Sequence, residues 1–337
     1  MSVADYTART SVRLGGLVLF VLIAFGVALT FTDEIALERL VTFGFLSRSL
    51  EMATPIALAA VGGLYAEKSG VFNIGLEGFM IFGAFSAAAT MYALGGTSPT
   101  QGHVWAALVA AVLVSVALTV LFAVLLIHFK ADQIVAGLAV WFVGLGFAPF
   151  TAAVIWGSRS SPGLTSIDPI AFGQSPLILL TIGIVVASWV VLYRTRYGNW
   201  IQAAGENPEA LDTAGIDVNR VRYATVIFSG AMAGLGGAVL LAHAGNFGGT
   251  GETMVDGRGW IGIVAYLFGN YNPIGAAAAA LLFGALDMLN VQFQTVGIDL
   301  PSRLVNLLPY VAVIVVLTAW GKTRMPDAVG EPYESEE

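Results

Sequence analysis

The sequence contains no cysteine, which excludes disulfides and thiolate-bound metals. Histidine is almost as scarce. His103, His128 and His243 are too scattered to form a metal-ligand set. Charge is sparse as well: 11% of residues are charged, against about 25% in a soluble chain. Only three lysines occur, beside twelve arginines, so a broad basic surface for nucleic acid is not available. A phosphate-binding loop is missing too. Gly321-Lys322-Thr323 imitates its end, but the required first glycine is replaced by Val316. No nucleophile–base–acid set stands out. These absences argue against an enzyme, a nucleotide engine, a bound cofactor or metal, and a nucleic-acid partner.

What is abundant is apolar sequence. The chain has 337 residues, 57% of them hydrophobic, and runs near 20 apolar residues recur along its length. That length matches the hydrocarbon core of a bilayer, so the fold class expected is an all-α polytopic membrane protein. Glycine is also frequent, 40 residues in all. In a bilayer, glycine lets helices approach closely.

The apolar runs place spans at 14–31, 45–64, 71–94, 104–127, 134–155, 176–193, 223–243, 274–291 and 304–320. The run 260–268 is only about nine residues, and either crosses with help from its flanks or is re-entrant. Counting it gives about ten transmembrane helices with both termini on one side. If that side is the cytoplasm, ten basic residues lie inside and five (Arg39, Arg48, Arg159, Arg258, Arg303) outside. This agrees with the positive-inside rule. Residues 1–325 read as one transmembrane domain containing the cytoplasmic loop 194–222, and 326–337 as a solvated acidic cytoplasmic tail. The net charge is −7. The solvated tail accounts for that balance, and a salt-adapted source is the lesser alternative.

The longest polar interruption is 194–222, with eight charged residues in 29. It contains a short helix with both ends written out. Asn207 suits the N-cap, Pro208 the first turn, and Gly215 the left-handed residue beyond the end. Glu209, Ala210, Leu211 and Asp212 form its body. Its apolar face (Ala210, Leu211, Ala214) predicts a partner, because about two turns of helix are not stable alone. Glu209 and Asp212 make a protein a better partner than an anionic lipid surface.

Four intramembrane polar residues are candidates for a solute path. Asn73 and Glu77 are four apart, so a helix puts them on one face, with Glu77 near mid-bilayer. Helix-to-helix hydrogen bonding, for example to unwound backbone, is the equal alternative. Asp287 and Asn290 begin a polar stripe that continues to Gln294, where external water is the alternative. Gly230 and Gly234 form G-x-x-x-G, a close helix-packing signal.

Three stretches together resemble a known family. They are Gly63-Leu64-Tyr65-Ala66-Glu67-Lys68-Ser69-Gly70-Val71-Phe72-Asn73-Ile74-Gly75-Leu76-Glu77-Gly78, then Gly205-Glu206-Asn207-Pro208-Glu209-Ala210 through Gly215-Ile216, and Gly257-Arg258-Gly259-Trp260-Ile261 through Gly275. They are similar to ABC importer permeases of the ribose and branched-chain amino acid type, in the nucleoside (simple sugar or purine nucleoside) branch. The I-x-L-P part of the wider permease loop motif is absent after Gly215.

The resemblance implies an importer for nucleosides, ribose-containing solutes or simple sugars in a prokaryotic cytoplasmic membrane. It implies an ABC ATPase subunit that uses ATP and magnesium and docks on Asn207–Gly215. A second, different permease subunit and an extracytoplasmic solute-binding protein are implied partners, along with membrane lipid. The rival class is a stand-alone ion-coupled transporter in which Glu77 or Asp287 carries protons.

Overall fold

The computed structural model describes residues 43–170, 173–251, 253–296 and 325–334. The runs read as spans at 14–31 and 304–320, and the Gly321-Lys322-Thr323 sequence, lie outside them. Ten α-helices occur among the described residues: α1 (Phe43–Lys68), α2 (Leu76–Gly95), α3 (Gln101–Ala123), α4 (Gln133–Trp156), α5 (Pro176–Arg194), α6 (Arg196–Glu206), α7 (Pro208–Thr213), α8 (Val218–Ala244), α9 (Arg258–Phe268) and α10 (Pro273–Val296). A π-helical turn, Val124–His128, continues α3. Among the described residues, 50–284 and 325–334 belong to one compact unit, and 43–49 and 285–296 to another. The buried helix core and the polar stretch 194–222 belong to the first of these.

Six helices (α1, α2, α3 with its π turn, α4, α5 and α8) are long and apolar enough to cross a membrane. The shortest, α5, has 19 residues and is about 28 Å long at 1.5 Å per residue, close to the ~30 Å of bilayer hydrocarbon. Their starts are written in polar side chains. Asp132 accepts the Val135 N–H ahead of α4, Ser175 accepts that of Leu177 ahead of α5, and Asp217 that of Arg220 ahead of α8. Gly157 and Gly245 end α4 and α8 in the left-handed conformation that glycine tolerates best.

The core is formed by α1, α2 and α8, which are mostly buried. Their small residues bring backbone against backbone. A Cβ on Gly83 would sit 2.0 Å from the Gly234 carbonyl oxygen, and one on Gly237 would sit 1.9 Å from that of Met80. The surrounding helices α3, α4 and α5 turn apolar side chains outward, among them Leu113, Leu121, Phe142, Phe150, Leu179 and Ile182. An apolar belt of that extent fits hydrocarbon rather than water. The chain is a multi-pass membrane protein.

α8 runs antiparallel to α1: Thr225 meets Ser69, Ser229 lies against Gly62, and Gly236 against Pro55. The end of α1 at Lys68 is therefore the end where α8 starts, and it carries α6 and α7. From the opposite end, 245–257 turns back and α9 follows. Gly262 lies against Ala59, and Tyr266 against Gly63 and Glu67. The segment 245–268 thus returns to the end from which α8 set out, with helix in its second half alone.

Candidate functional site

The polar stretch 194–222 folds as two helices. The N-cap Asn207 accepts the Ala210 N–H at 3.0 Å, Pro208 opens α7, and Gly215 has φ +80°. Asn207, Glu209, Ala210, Thr213 and Ala214 are exposed, Pro208 and Asp212 are half-buried, and Leu211 is buried. Of the expected apolar face, Ala210 and Ala214 are open to a partner, and Leu211 is the exception. Only Leu211 turns inward, and the same chain covers it. It clusters with Ala204 and Val218, and Trp200, Ala203, Ile216, Val221 and Tyr333 close around them.

The cover comes largely from α6, an amphipathic helix that the sequence reading missed. Thr195 caps it by accepting the Gly198 N–H. Its signal was present: Tyr197, Trp200, Ile201 and Ala204 recur at i, i+3, i+4 and i+7. Of these, Ile201 and Ala204 are buried.

A buried arginine ties this module to the membrane helices. Arg222, near the start of α8, is 3% exposed. Its Nε donates to the Ser69 carbonyl at 3.1 Å, Nη1 to that of Glu331 at 2.9 Å, and Nη2 to that of Ala204 at 3.5 Å. Charged donors on neutral carbonyls make each such bond stronger than its neutral counterpart. Glycine allows the convergence at two positions. A Cβ on Gly205 would lie 2.4 Å from the Lys68 carbonyl oxygen, and Gly70 has φ +92° with Arg222, Ala204 and Ala328 around it.

The tail is docked on this end through its backbone, while its charged side chains Asp327, Glu331 and Glu334 stay exposed. Ala328 N–H donates to the Gly205 carbonyl at 2.8 Å, and Gly330 N–H to that of Gly70 at 3.1 Å. The Tyr333 hydroxyl donates to Asp212 Oδ2 at 2.7 Å. Lys130 pairs with Glu334, which holds the Glu334 carboxyl below its ordinary value. That pair stabilises docking above about pH 4.5 and is lost as pH falls through the lowered value. Being exposed, it adds little beside the backbone bonds. The attraction the acidic tail lacks in charge, it finds in backbone donors.

Within the membrane layer, Asn73 and Glu77 do not share a helix face. α2 begins only at Leu76, so Asn73 lies in the non-helical link before it. The reason is local. Asn73 Oδ1 accepts the Gly75 N–H at 3.0 Å, offering the backbone a turn in place of helix. Its Nδ2 donates to Ser229 Oγ on α8 at 2.9 Å.

Glu77 is 1% exposed and faces the N-terminus of α9. Oε1 accepts the Gly257 N–H at 2.9 Å and Oε2 the Gly259 N–H at 2.6 Å. Free N–H groups and the positive end of the helix dipole favour an anion there. Gly262 lies against Ala59, nine residues before Lys68 and so roughly 14 Å along α1, which puts the start of α9 near mid-bilayer. A half-helix N-terminus at that depth is an anion site in other transporter folds. Here the chain's own carboxylate occupies it.

Glu67, which the sequence reading passed over, holds the other end. It is also 1% exposed and accepts hydrogen bonds from Tyr266 at Oε1 and from Tyr271 at Oε2, the latter at 2.6 Å. α9 is thus fastened to α2 by Glu77 and to α1 by Glu67.

Gly230 and Gly234 face α3. A Cβ on Gly230 would sit 1.7 Å from Thr119 Oγ1, and one on Gly234 1.9 Å from Ser115 Oγ. Asp287 and Asn290 lie on α10 in the other compact unit, and the side chains of Asn290 and Gln294 are outside the described set.

The chain is similar to known proteins over most of its length. The profile of the family described as "Branched-chain amino acid transport system / permease component" matches residues 45–317. The guanosine ABC transporter permease NupQ of Bacillus subtilis is 35% identical over 309 residues, covering 85% of this chain and 94% of NupQ. The nucleoside ABC transporter permease NupC of Lactococcus lactis is 34% identical, covering 86% and 96%. A putative glucose ABC transporter permease of Haloferax volcanii, TsgC13, is 31% identical, covering 87% and 98%. With its helical membrane core, and with family profile and relatives alike spanning most of its length, the chain belongs to this family of permeases: it is a non-enzymatic membrane subunit of an ABC transporter, and ATP hydrolysis resides in a separate subunit.

Proposed function

We propose that the chain is one half of the pore of a nucleoside importer in a prokaryotic cytoplasmic membrane. It crosses ten times as a single permease domain, with both termini in the cytoplasm. The observation that carries the reading is α7. It is rooted by Leu211, yet presents Asn207, Glu209, Ala210, Thr213 and Ala214 outward at the end where α1 finishes and α8 starts. A short capped helix offered this way suits the cleft of an ABC ATPase that binds ATP and magnesium. Motion of α7 then passes through Arg222 to α1 and α8, shifting the pore between inward- and outward-open populations.

The names of NupQ and NupC support a nucleoside as solute. TsgC13 supports a simple sugar as the second reading, with a hydroxyl-bearing sugar ring as the chemistry the two share. The other half of the pore is a different permease chain. NupP, also named a guanosine ABC transporter permease of Bacillus subtilis, is only 25% identical to this chain, whereas NupQ is 35% identical. A solute-binding protein outside the membrane delivers the passenger. Asn73, Glu77, Asp287 and Asn290 stay as candidates for groups along the path, Glu77 through its hold on α9.

The test is uptake of radiolabelled guanosine and ribose by vesicles carrying the chain with its ATPase, second permease and binding protein. Uptake is expected with ATP inside and none by this chain alone under a proton or sodium gradient. Gradient-driven uptake by the isolated chain would sink the proposal. In the same assay Gly215→Trp is expected to lower ATP-driven uptake about tenfold, because a side chain at φ > 0 costs roughly 1–2 kcal/mol and the indole adds bulk on the docking face. Unchanged uptake would remove α7 from the coupling role.

A further inference from the structure

The C-terminal segment touches the elements on which the proposed coupling depends. In ten residues it meets five separate segments. Ala328 bonds to Gly205 at the end of α6, Gly330 to Gly70 in the α1–α2 link, and Glu331 accepts from Arg222 of α8. Tyr333 bonds to Asp212 of α7, and Glu334 pairs with Lys130 between the π turn and α4. The Tyr333 ring also stands 5.9 Å from the Arg222 guanidinium and closes the apolar cluster around Leu211. The strap lies behind α7. Its contact is Asp212, while Glu209, Ala210, Thr213 and Ala214 stay exposed in front.

We propose that residues 326–334 are a strap that holds α7 in register with α1 and α8, and that Tyr333 is a positioning residue for energy coupling. The physical need is plain. α7 has six residues and one buried apolar side chain, too little to keep a fixed orientation under force from a partner. A lever that yields transmits nothing. The strap bonds α7 through Tyr333 and bonds the receiving helices through Gly70 and Arg222, so a push on α7 reaches α1 and α8 without slack. Much of the bonding goes through the strap's own backbone N–H and C=O groups, which explains how an acidic segment of little apolar content docks at all.

The inference rests on the ATPase docking at α7. The experiment uses the complete transporter in vesicles and reads two quantities per assembled complex: solute taken up, and ATP hydrolysed per solute. Tyr333→Phe keeps the ring in the cluster and removes only the hydroxyl. It is expected to raise ATP consumed per solute about fivefold, the effect of one hydrogen bond of about 1 kcal/mol on the lever. Deleting 326–337 removes all five attachments and is expected to raise the ratio by about tenfold or more while lowering uptake.

A purely structural role for the strap lowers the number of assembled complexes but leaves ATP per solute unchanged in those that form. That result in either variant overturns the proposal. If the truncated chain does not assemble, Tyr333→Phe alone decides. Failure of the underlying reading shows separately, as an unmodified chain whose uptake ignores the ATPase.

Discussion

Replacing Glu77 by alanine is expected to loosen α9 and cost the folded chain about 3 kcal/mol, since a buried N–H donor (Gly259) and a partly buried one (Gly257) each lose their acceptor at roughly 1–3 kcal/mol apiece. Those donors are Gly257 and Gly259, and the carboxylate spans them with one oxygen each. The site lies close to mid-bilayer, where no water replaces a lost acceptor. The measurement is thermal unfolding of the purified chain in lipid nanodiscs, with the yield of assembled transporter beside it. Unaltered unfolding, assembly and uptake would exclude Glu77 from scaffold and path together. Glu77→Gln separates the two roles. Its single carbonyl oxygen satisfies one N–H while its amide confronts the other, so a scaffold role predicts a stability loss of the same sign. Normal stability with lost uptake assigns Glu77 to the path instead.

Gly83→Ala is expected to be among the most damaging single-methyl changes in the core, at about 3 kcal/mol or above, the upper range for overpacking. The new Cβ would lie 2.0 Å from the Gly234 carbonyl oxygen. That obstacle is backbone, so no rotamer change relieves it, and α2 must move away from α8. Gly230→Ala makes the instructive contrast. Its Cβ meets Thr119 Oγ1 at 1.7 Å, a side-chain atom. Adding Thr119→Ala should recover part of the Gly230→Ala loss, whereas no partner truncation should recover Gly83→Ala. Unfolding temperatures of the two single mutants and the one double mutant decide this. An unchanged midpoint for Gly83→Ala would mean that α2 and α8 are further apart than described.

How much of the molecule was legible in advance depends on the range of each interaction. The α7 helix was readable because its signals are local. Asn207, Pro208 and Gly215 act on backbone within a few residues of themselves, and each stands where its conformational preference puts it. α6 was equally local, and its apolar spacing was overlooked beside the charges around it. Asn73 misled for the opposite reason. A spacing of four assumes helix, but the side chain itself bonds the Gly75 N–H and delays the helix to Leu76.

Apart from its place in the first motif, Glu67 had no sequence signal that set it apart from any carboxylate at a helix end. Its importance comes from Tyr271, 204 residues later. The tail was read as solvated because composition records side chains, whereas what docks it is largely main chain. The sequence by itself determined that this is a helical membrane protein, the positions of the spans α1 to α5 and α8, the caps of α7, and through three motifs the permease family. Span length, capping and glycine turns depend on residues near each other in the chain.

Only the tertiary structure decided where Leu211 points, what Glu77 binds, how α9 is fastened at both ends, and that the tail returns to Arg222. Each of those joins residues more than a hundred positions apart or trades one buried partner for another. Glu77 meets Gly257 across 180 residues, and Tyr333 meets Asp212 across 121. A buried carboxylate must find donors wherever the fold supplies them, and that supply exists only once the helices have packed.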